Sequence, residues 1–114
     1  MDPDAVDEFF FVLGGAWENG SEVPGYSSWL RTDETVATAT FIVTGGAASS
    51  ESVYATRTDH LTGYELRNVY GVVVSPSILT GMMEITLRVT TTIAVPDNAR
   101  LNIDHTIRVP IRSL

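Results

Sequence analysis

The sequence predicts a single, mainly β domain of antiparallel strands, and three observations support this prediction. Apolar and polar residues alternate along several runs that are longer than most strands. Threonine and valine dominate those runs, and both residues favour strands. No clear helix separates consecutive runs, whereas parallel strands need a crossover of about a dozen residues or more. We therefore expect a β-sandwich, a jelly-roll-like pair of sheets or an open barrel.

The chain of 114 residues is long enough to bury one core without disulfides or metals, so we expect one domain. Residues 1–34 form its N-terminal segment and a long aromatic loop, and residues 35–114 form the antiparallel sheet core. Residues 4–13 favour a short helix, because Asp4 could cap its start and Gly14 could end it. The alternative is a buried strand, since three consecutive phenylalanines followed by valine are typical of one.

Residues 14–34 predict a long connection rich in glycine, serine and proline, with one helical turn over residues 28–31. Loops of this length in small domains are often functional. Tryptophan and tyrosine beside acidic residues suit sugar binding by ring stacking, which makes this loop the candidate ligand site. Its candidate residues are Trp17, Tyr26 and Trp29. The alternative interpretation is that these rings cover one end of the core.

Three strands are predicted before the C-terminal hairpin, over residues 35–44, 52–58 and 64–74. A flexible glycine- and serine-rich turn over residues 45–50 joins the first two. In the first strand, the alternation places one set of residues together on the apolar face. This set is Ala37, Ala39, Phe41 and Val43.

A long amphipathic hairpin is predicted over residues 83–95 and 101–111, with apolar residues at odd positions in both arms. Pro96, Asp97 and Asn98 form its turn. By the same parity His105 faces the apolar side, as a hydrogen-bonded core or interface histidine. Proline donates no backbone hydrogen bond, so Pro110 marks residues 107–114 as an edge strand or a subunit contact.

The charge is unevenly divided. The net charge is −7, and residues 1–57 carry all of it, because residues 58–114 balance five acids with five arginines. The acidic front of one copy could therefore meet the arginine-bearing hairpin of the next. The candidate interface residues are Phe9, Phe10, Arg88, Arg100, Arg108, Arg112 and His105. The net charge disfavours nucleic acid as the main partner.

Several kinds of chemistry find no support in the sequence. Cysteine and lysine are both absent, which excludes thiolate and Schiff-base chemistry. No serine elbow, zinc spacing or phosphate loop is present, so we expect no catalytic residue, metal or cofactor. A weaker alternative is a calcium site in the acidic N terminus. Its residues would be Asp2, Asp4, Asp7 and Glu8.

These patterns predict a non-enzymatic structural subunit that assembles with its own copies through β-sheet packing, such as a virion coat, capsid-projection, decoration or tail protein. The first alternative is a β-sandwich module that recognises carbohydrate or a protein surface. The second is a small hydrolase, whose candidate residues are Glu18, Glu22, Asp33, Glu34, His60 and His105. The longest apolar run, residues 9–13, is too short for a membrane span, so we expect a virion or cytoplasmic protein without a membrane partner.

Overall fold

The computed structural model of the protein describes residues 1–93 and 99–112, and it confirms a mainly β fold built from two antiparallel sheets. These residues form no helix, so the described part of the chain has no helix that could cross a membrane. The strands are β1 (Asp7–Val12), β2 (Ala16–Glu18), β3 (Ser21–Glu22), β4 (Glu34–Thr44), β5 (Gly46–Thr58), β6 (Glu65–Pro76), β7 (Gly81–Ile93) and β8 (Ile103–Ile111).

The larger sheet is organised around β6. Strand β5 pairs along one side of β6, and β1 and β2 pair one after the other along its opposite side. Strand β3 extends the sheet from β2. The smaller sheet has the order β4-β7-β8. The core lies between the two sheets, where Phe11 of β1 packs on Phe41 of β4 with ring centroids 5.9 Å apart.

The C-terminal hairpin is confirmed as β7 and β8, and its register agrees with the predicted parity. Met83 pairs with Val109, Ile85 with Ile107 and Leu87 with His105. The inward residues of β7 from Met83 to Thr91 are buried because β7 is the central strand of its sheet. The predicted turn at residues 96–98 lies outside the described residues.

The short N-terminal helix is not formed, because this segment pairs with β6 as strand β1. Phe9 and Phe11 face the core, whereas Phe10 lies on the outer face of the sheet over Gly71. Val6, directly before the strand, is 67% exposed. Pairing with the side of β6 opposite β5 gives this segment both backbone hydrogen bonds and an apolar face to pack on. A short isolated helix would gain no such packing.

The long connection contains a small hairpin, formed by β2 and β3, and the expected helical turn at residues 28–31 is absent. Asn19 and Gly20 both have positive φ, of 52° and 81°, between the paired residues Glu18 and Ser21. Asn-Gly is the preferred dipeptide of such two-residue turns, so this signal was present in the sequence.

Strand β4 departs from the predicted alternation at its start. Its register with β7 shifts between Val36 and Thr38, which is a β-bulge. The bulge turns Ala37 to the solvent and brings Val36 into the core, so the prediction of an inward Ala37 is wrong. Ala39, Phe41 and Val43 face the core as predicted.

The predicted flexible turn at residues 45–50 is also corrected. Gly45, with φ of 76°, alone carries the chain from the smaller sheet to the larger one, and β5 begins at Gly46. A Cβ atom at Gly46 would lie 2.5 Å from the sulfur of Met83. Residue 46 must therefore be small, because the chain changes sheets against the packed core.

Candidate functional site

The two sheets end in strands whose free edges are protected to very different degrees. Strand β8 carries Pro110, and the Met1 backbone covers the end of its edge. The Met1 amino group donates to the Pro110 carbonyl at 2.8 Å, and the Arg112 N–H donates to the Met1 carbonyl at 3.0 Å. Strand β1 is short and begins with two acidic residues. Prolines, charges and short length are features by which natural proteins prevent pairing at an edge.

The edges of β4 and β5 have fewer of these features, since both strands are long, neither has a proline between residues 35 and 58, and their charges are confined to Glu34, Glu51 and Arg57. Among the described residues, β4 pairs only with β7, and β5 pairs only with β6. Residues 35–50 contain no charged residue and no proline, and lysine is absent from the whole chain. One β-bulge interrupts each strand, near the start of β4 and between Ala48 and Ser50 in β5. The two edges meet at Gly45, where β4 ends and β5 begins, and we call them together the open side of the sandwich.

Apolar side chains are also accessible on the open side. Val53 and Tyr54 of β5 are 66% and 38% exposed. The inward residues of β4 are only half-buried, whereas those of the adjacent β7 are fully buried. A further strand along β4 would cover them, because each strand of a sheet shields the side chains of its neighbour.

A buried ion pair anchors the start of β4. The Glu34 carboxylate, whose side chain is fully buried, accepts two hydrogen bonds from the Arg100 guanidinium, and the bond from Nε is 2.8 Å long. It also accepts hydrogen bonds from the Thr91 hydroxyl at 2.6 Å and the Arg31 backbone N–H at 2.9 Å. These bonds, above all those from Arg100, lower the pKa of Glu34 from 4.5 to about 2.

The sequence reasoning missed this ion pair, although one signal was available. Thr91 occupies an inward position of β7 between Val89 and Ile93, and it is buried. A polar residue at a position that the alternation assigns to the core must find a buried partner. That requirement could have indicated a polar cluster, but not that Glu34 and Arg100 complete it.

Two of the candidate interface residues lie inside this cluster. Arg100 stacks on the Trp29 ring, and the Trp29 ring meets the His105 ring edge-on with centroids 4.5 Å apart. His105 is partly buried, and its Nε2 has no hydrogen-bond partner among the described residues. Burial, and then the charge of Arg100, lowers the pKa of His105, so the neutral imidazole is favoured.

Two other arginines of the hairpin, Arg88 and Arg108, form ion pairs with acidic residues of the same chain. Arg88 makes a two-pronged pair with Asp104, at 2.9 and 3.1 Å, and Arg108 Nε lies 3.3 Å from Glu84. These pairs lie on the outer face of the smaller sheet, among threonines. The pairing raises the pKa of Arg88 and lowers that of Asp104. The acidic residues of another copy are therefore not needed to balance these arginines.

The three aromatic residues of the candidate ligand loop point to three places. Trp17 lines an open cleft of about 300 Å³ and stacks against Arg67, whose guanidinium carbon is 3.9 Å from the ring centroid. Tyr26 is exposed at a separate surface beside Tyr64. Trp29 packs against the buried cluster. Of these three rings, Trp17 lines the cleft together with Glu22 and Glu34.

The candidate catalytic residues do not all lie in one place, since Glu22 and Glu34 line the cleft beside Trp17 and the other candidates do not. Glu34 is ionised and saturated with hydrogen bonds, so it is unsuited to proton transfer at neutral pH. His60 lies in the loop between β5 and β6, whereas His105 faces the sandwich interior from the other sheet. Within residues 1–93 and 99–112, no group of three metal-ligating side chains is arranged to hold an ion.

Asp2 and Asp7, two of the residues proposed for calcium, each accept a hydrogen bond from a nearby backbone N–H.

Comparison of the chain with protein-family models, curated proteins and solved structures found no match.

Proposed function

We propose that this protein is a non-enzymatic structural subunit that assembles with copies of itself through the open side of its β-sandwich. The setting that we propose is a virion coat, capsid projection, decoration or tail, in which homo-oligomeric β-sheet packing builds the particle. The virion part of this proposal is an architectural analogy, since a fold does not specify a function.

The observation that carries the proposal is the unequal protection of the strand edges. Proline, charged residues and the Met1 backbone protect the edges of β1 and β8, whereas the edges of β4 and β5 are long and nearly free of charge. An unpaired strand presents a row of backbone donors and acceptors that another strand can satisfy. A strand with such an edge is suited to pairing with a strand of a partner.

The charge distribution also favours a neutral contact between copies. Each chain carries a net charge of −7, so two copies repel each other at most relative orientations. The uncharged residues 35–50 form a surface where two chains can meet without bringing charges of the same sign together. Salt screens the remaining repulsion, with a Debye length of about 10 Å at 0.1 M, so association should strengthen as salt is added.

The mass of the full chain in solution tests this function. We expect sedimentation velocity to show a defined oligomer at micromolar concentrations, with a larger associated fraction at 0.5 M than at 0.05 M NaCl. Electron microscopy of the same samples would show whether the oligomers are closed particles or filaments. A chain that remains monomeric at protein concentrations up to about 0.5 mM, whatever the salt concentration, would contradict the proposal.

A second candidate function is recognition of carbohydrate or of a protein surface, and the cleft beside Trp17 favours it. An indole ring, an arginine and the Glu22 carboxylate provide a stacking surface and polar groups in one concave site. Titration of monosaccharides and oligosaccharides against tryptophan fluorescence tests this function. A saturable change that is lost in Trp17→Leu and kept in Tyr26→Leu would support it.

A further inference from the structure

We infer that the partner of β4 is the β4 strand of a second copy, antiparallel to the first about a two-fold axis that passes near Phe41. This inference depends on the proposed self-assembly and identifies the strand, the register and the symmetry of the contact. It predicts a continuous six-stranded sheet with the order β8-β7-β4-β4-β7-β8 across the two copies.

The regular part of β4 determines the register. Residues 38–44 pair with β7 without interruption, from Thr38 opposite Thr90 to Thr44 opposite Glu84. The bulge precedes this run, and Gly45 follows it with a positive φ. The middle residue of the run is Phe41. An antiparallel pair centred there uses the whole run, a length of roughly 23 Å at about 3.3 Å per residue.

Centring on Phe41 also brings compatible side chains together. On the outer face, Thr38 lies opposite Thr44 of the second copy, and Thr40 lies opposite its Ile42. On the inner face, the two Phe41 rings become neighbours, and Ala39 meets Val43. None of these pairs contains a charge. Cross-strand pairs of β-branched and aromatic residues stabilise sheets by roughly 0.2–1 kcal/mol each.

The half-buried core residues of β4 supply the second argument. Phe41 and Val43 belong to the packed core but are not fully covered, since β4 is the last strand of its sheet. The same residues of a second copy would extend the apolar layer across the two-fold axis. The pairing therefore removes apolar surface from water and satisfies the backbone groups of the edge in one step.

The other edges fit a two-fold contact less well. In strand β5 the register is regular from Ser50 to Thr58, but Glu51 and Arg57 lie in that run, so pairing there would have to remove charged side chains from water. Strand β8 contains Pro110, which cannot donate a hydrogen bond. Among the edges that the structure describes, β4 alone combines a long regular register with a complete absence of charge after Glu34.

The absence of cysteine permits a direct test by disulfide trapping. Thr40→Cys and Ile42→Cys are made separately in the full chain, one of them labelled with ¹⁵N, and the two proteins are mixed and oxidised. Directly opposite residues of an antiparallel pair have Cα atoms about 4.5–5.5 Å apart, within reach of a disulfide. We expect a disulfide dimer containing one labelled and one unlabelled chain.

Two mixtures serve as controls. Either variant alone should give far less dimer, because in this register the two equivalent cysteines are diagonal neighbours about 7–8 Å apart. A mixture of Thr40→Cys with Thr106→Cys should also give little dimer, since Thr106 lies on β8 at the opposite edge of the sheet. Equal trapping in all mixtures would overturn the inferred register.

A charge variant separates the failure of this inference from the failure of the proposed function. Residue 40 is exposed, so Thr40→Lys leaves the core intact. The variant should weaken association at least about tenfold, because it places like charges of the two copies near the two-fold axis. Thr106→Lys is the matched control and should leave association unchanged. An oligomer that survives Thr40→Lys overturns the β4 contact but not self-assembly, whereas a monomeric wild type overturns both.

Discussion

The Arg100 guanidinium lies over the Trp29 ring, with its central carbon 3.7 Å from the ring centroid, and the same guanidinium donates to the Trp29 carbonyl at 2.7 Å. With its two bonds to Glu34, this contact joins the aromatic loop, the start of β4 and the segment before β8. Residue 100 is far in sequence from residues 29 and 34. Their convergence explains why an arginine and a tryptophan that looked available for partners lie within the fold.

The first prediction concerns this ion pair. Glu34→Gln removes the charge that balances Arg100 in a buried position, and we expect a loss of about 3 kcal/mol in the free energy of unfolding. Urea unfolding followed by circular dichroism measures it. The matched control is Glu84→Gln, which breaks the exposed pair with Arg108 and should cost less than about 1 kcal/mol. Equal losses in the two variants would contradict the anchoring role of Glu34.

The second prediction concerns acid stability. The pKa of Glu34 is about 2 in the folded protein against an ordinary value of 4.5, so the unfolded chain binds a proton first as the pH falls. Stability from this group is complete above about pH 4.5 and is lost progressively toward pH 2. Urea unfolding at a series of pH values should show this loss. The slope should be shallower in Glu34→Gln, and an unchanged slope would assign the acid sensitivity to other carboxylates.

The third prediction concerns His105. Burial and the nearby Arg100 lower the pKa of its imidazole below 6.5, so protonation opposes folding. Since the unfolded chain binds this proton more readily, stability from His105 is present above about pH 6.5 and falls below it. Titration of the imidazole carbon-bound protons by NMR should give a pKa below 6.5 for His105. A value above 6.5 would mean that the charge of Asp104, which raises this pKa, outweighs burial and Arg100.

The fourth prediction concerns the contact between Phe10 and Gly71. A Cβ atom on residue 71 would lie 2.8 Å from the Phe10 ring and 2.6 Å from the Ser52 hydroxyl. Gly71→Ala should therefore displace the ring and destabilise the protein by about 1–3 kcal/mol. Thermal unfolding measures the change.

The double variant Gly71→Ala with Phe10→Leu tests the cause of that loss. If the ring is the obstacle, the alanine should cost less in the Phe10→Leu background than in the wild type. Equal costs in the two backgrounds would show that the backbone or Ser52, and not Phe10, limits residue 71.

Local periodicity was sufficient to predict much of the architecture. The odd-numbered apolar face of β7 and β8 follows directly from the alternation of strand side chains, and the register that pairs Met83 with Val109 preserves it. Pro110 correctly marked β8 as an edge, because a proline has no N–H to offer a further strand. These features depend on residues close to one another in sequence, so the sequence pattern is enough to predict them.

Contacts between distant segments could not be inferred in this way. Residues 7–12 have both helical and strand character, and they form a strand because they pair with the side of β6 opposite β5. The bulge in β4 depends on its register with β7, and the Glu34 ion pair depends on bringing residue 100 to residue 34. The free edge of β4, whose residues after Glu34 carry no charge, is likewise a result of strand order. Alternation specifies which face of a strand is apolar, but long-range pairing specifies which strand is left at the edge.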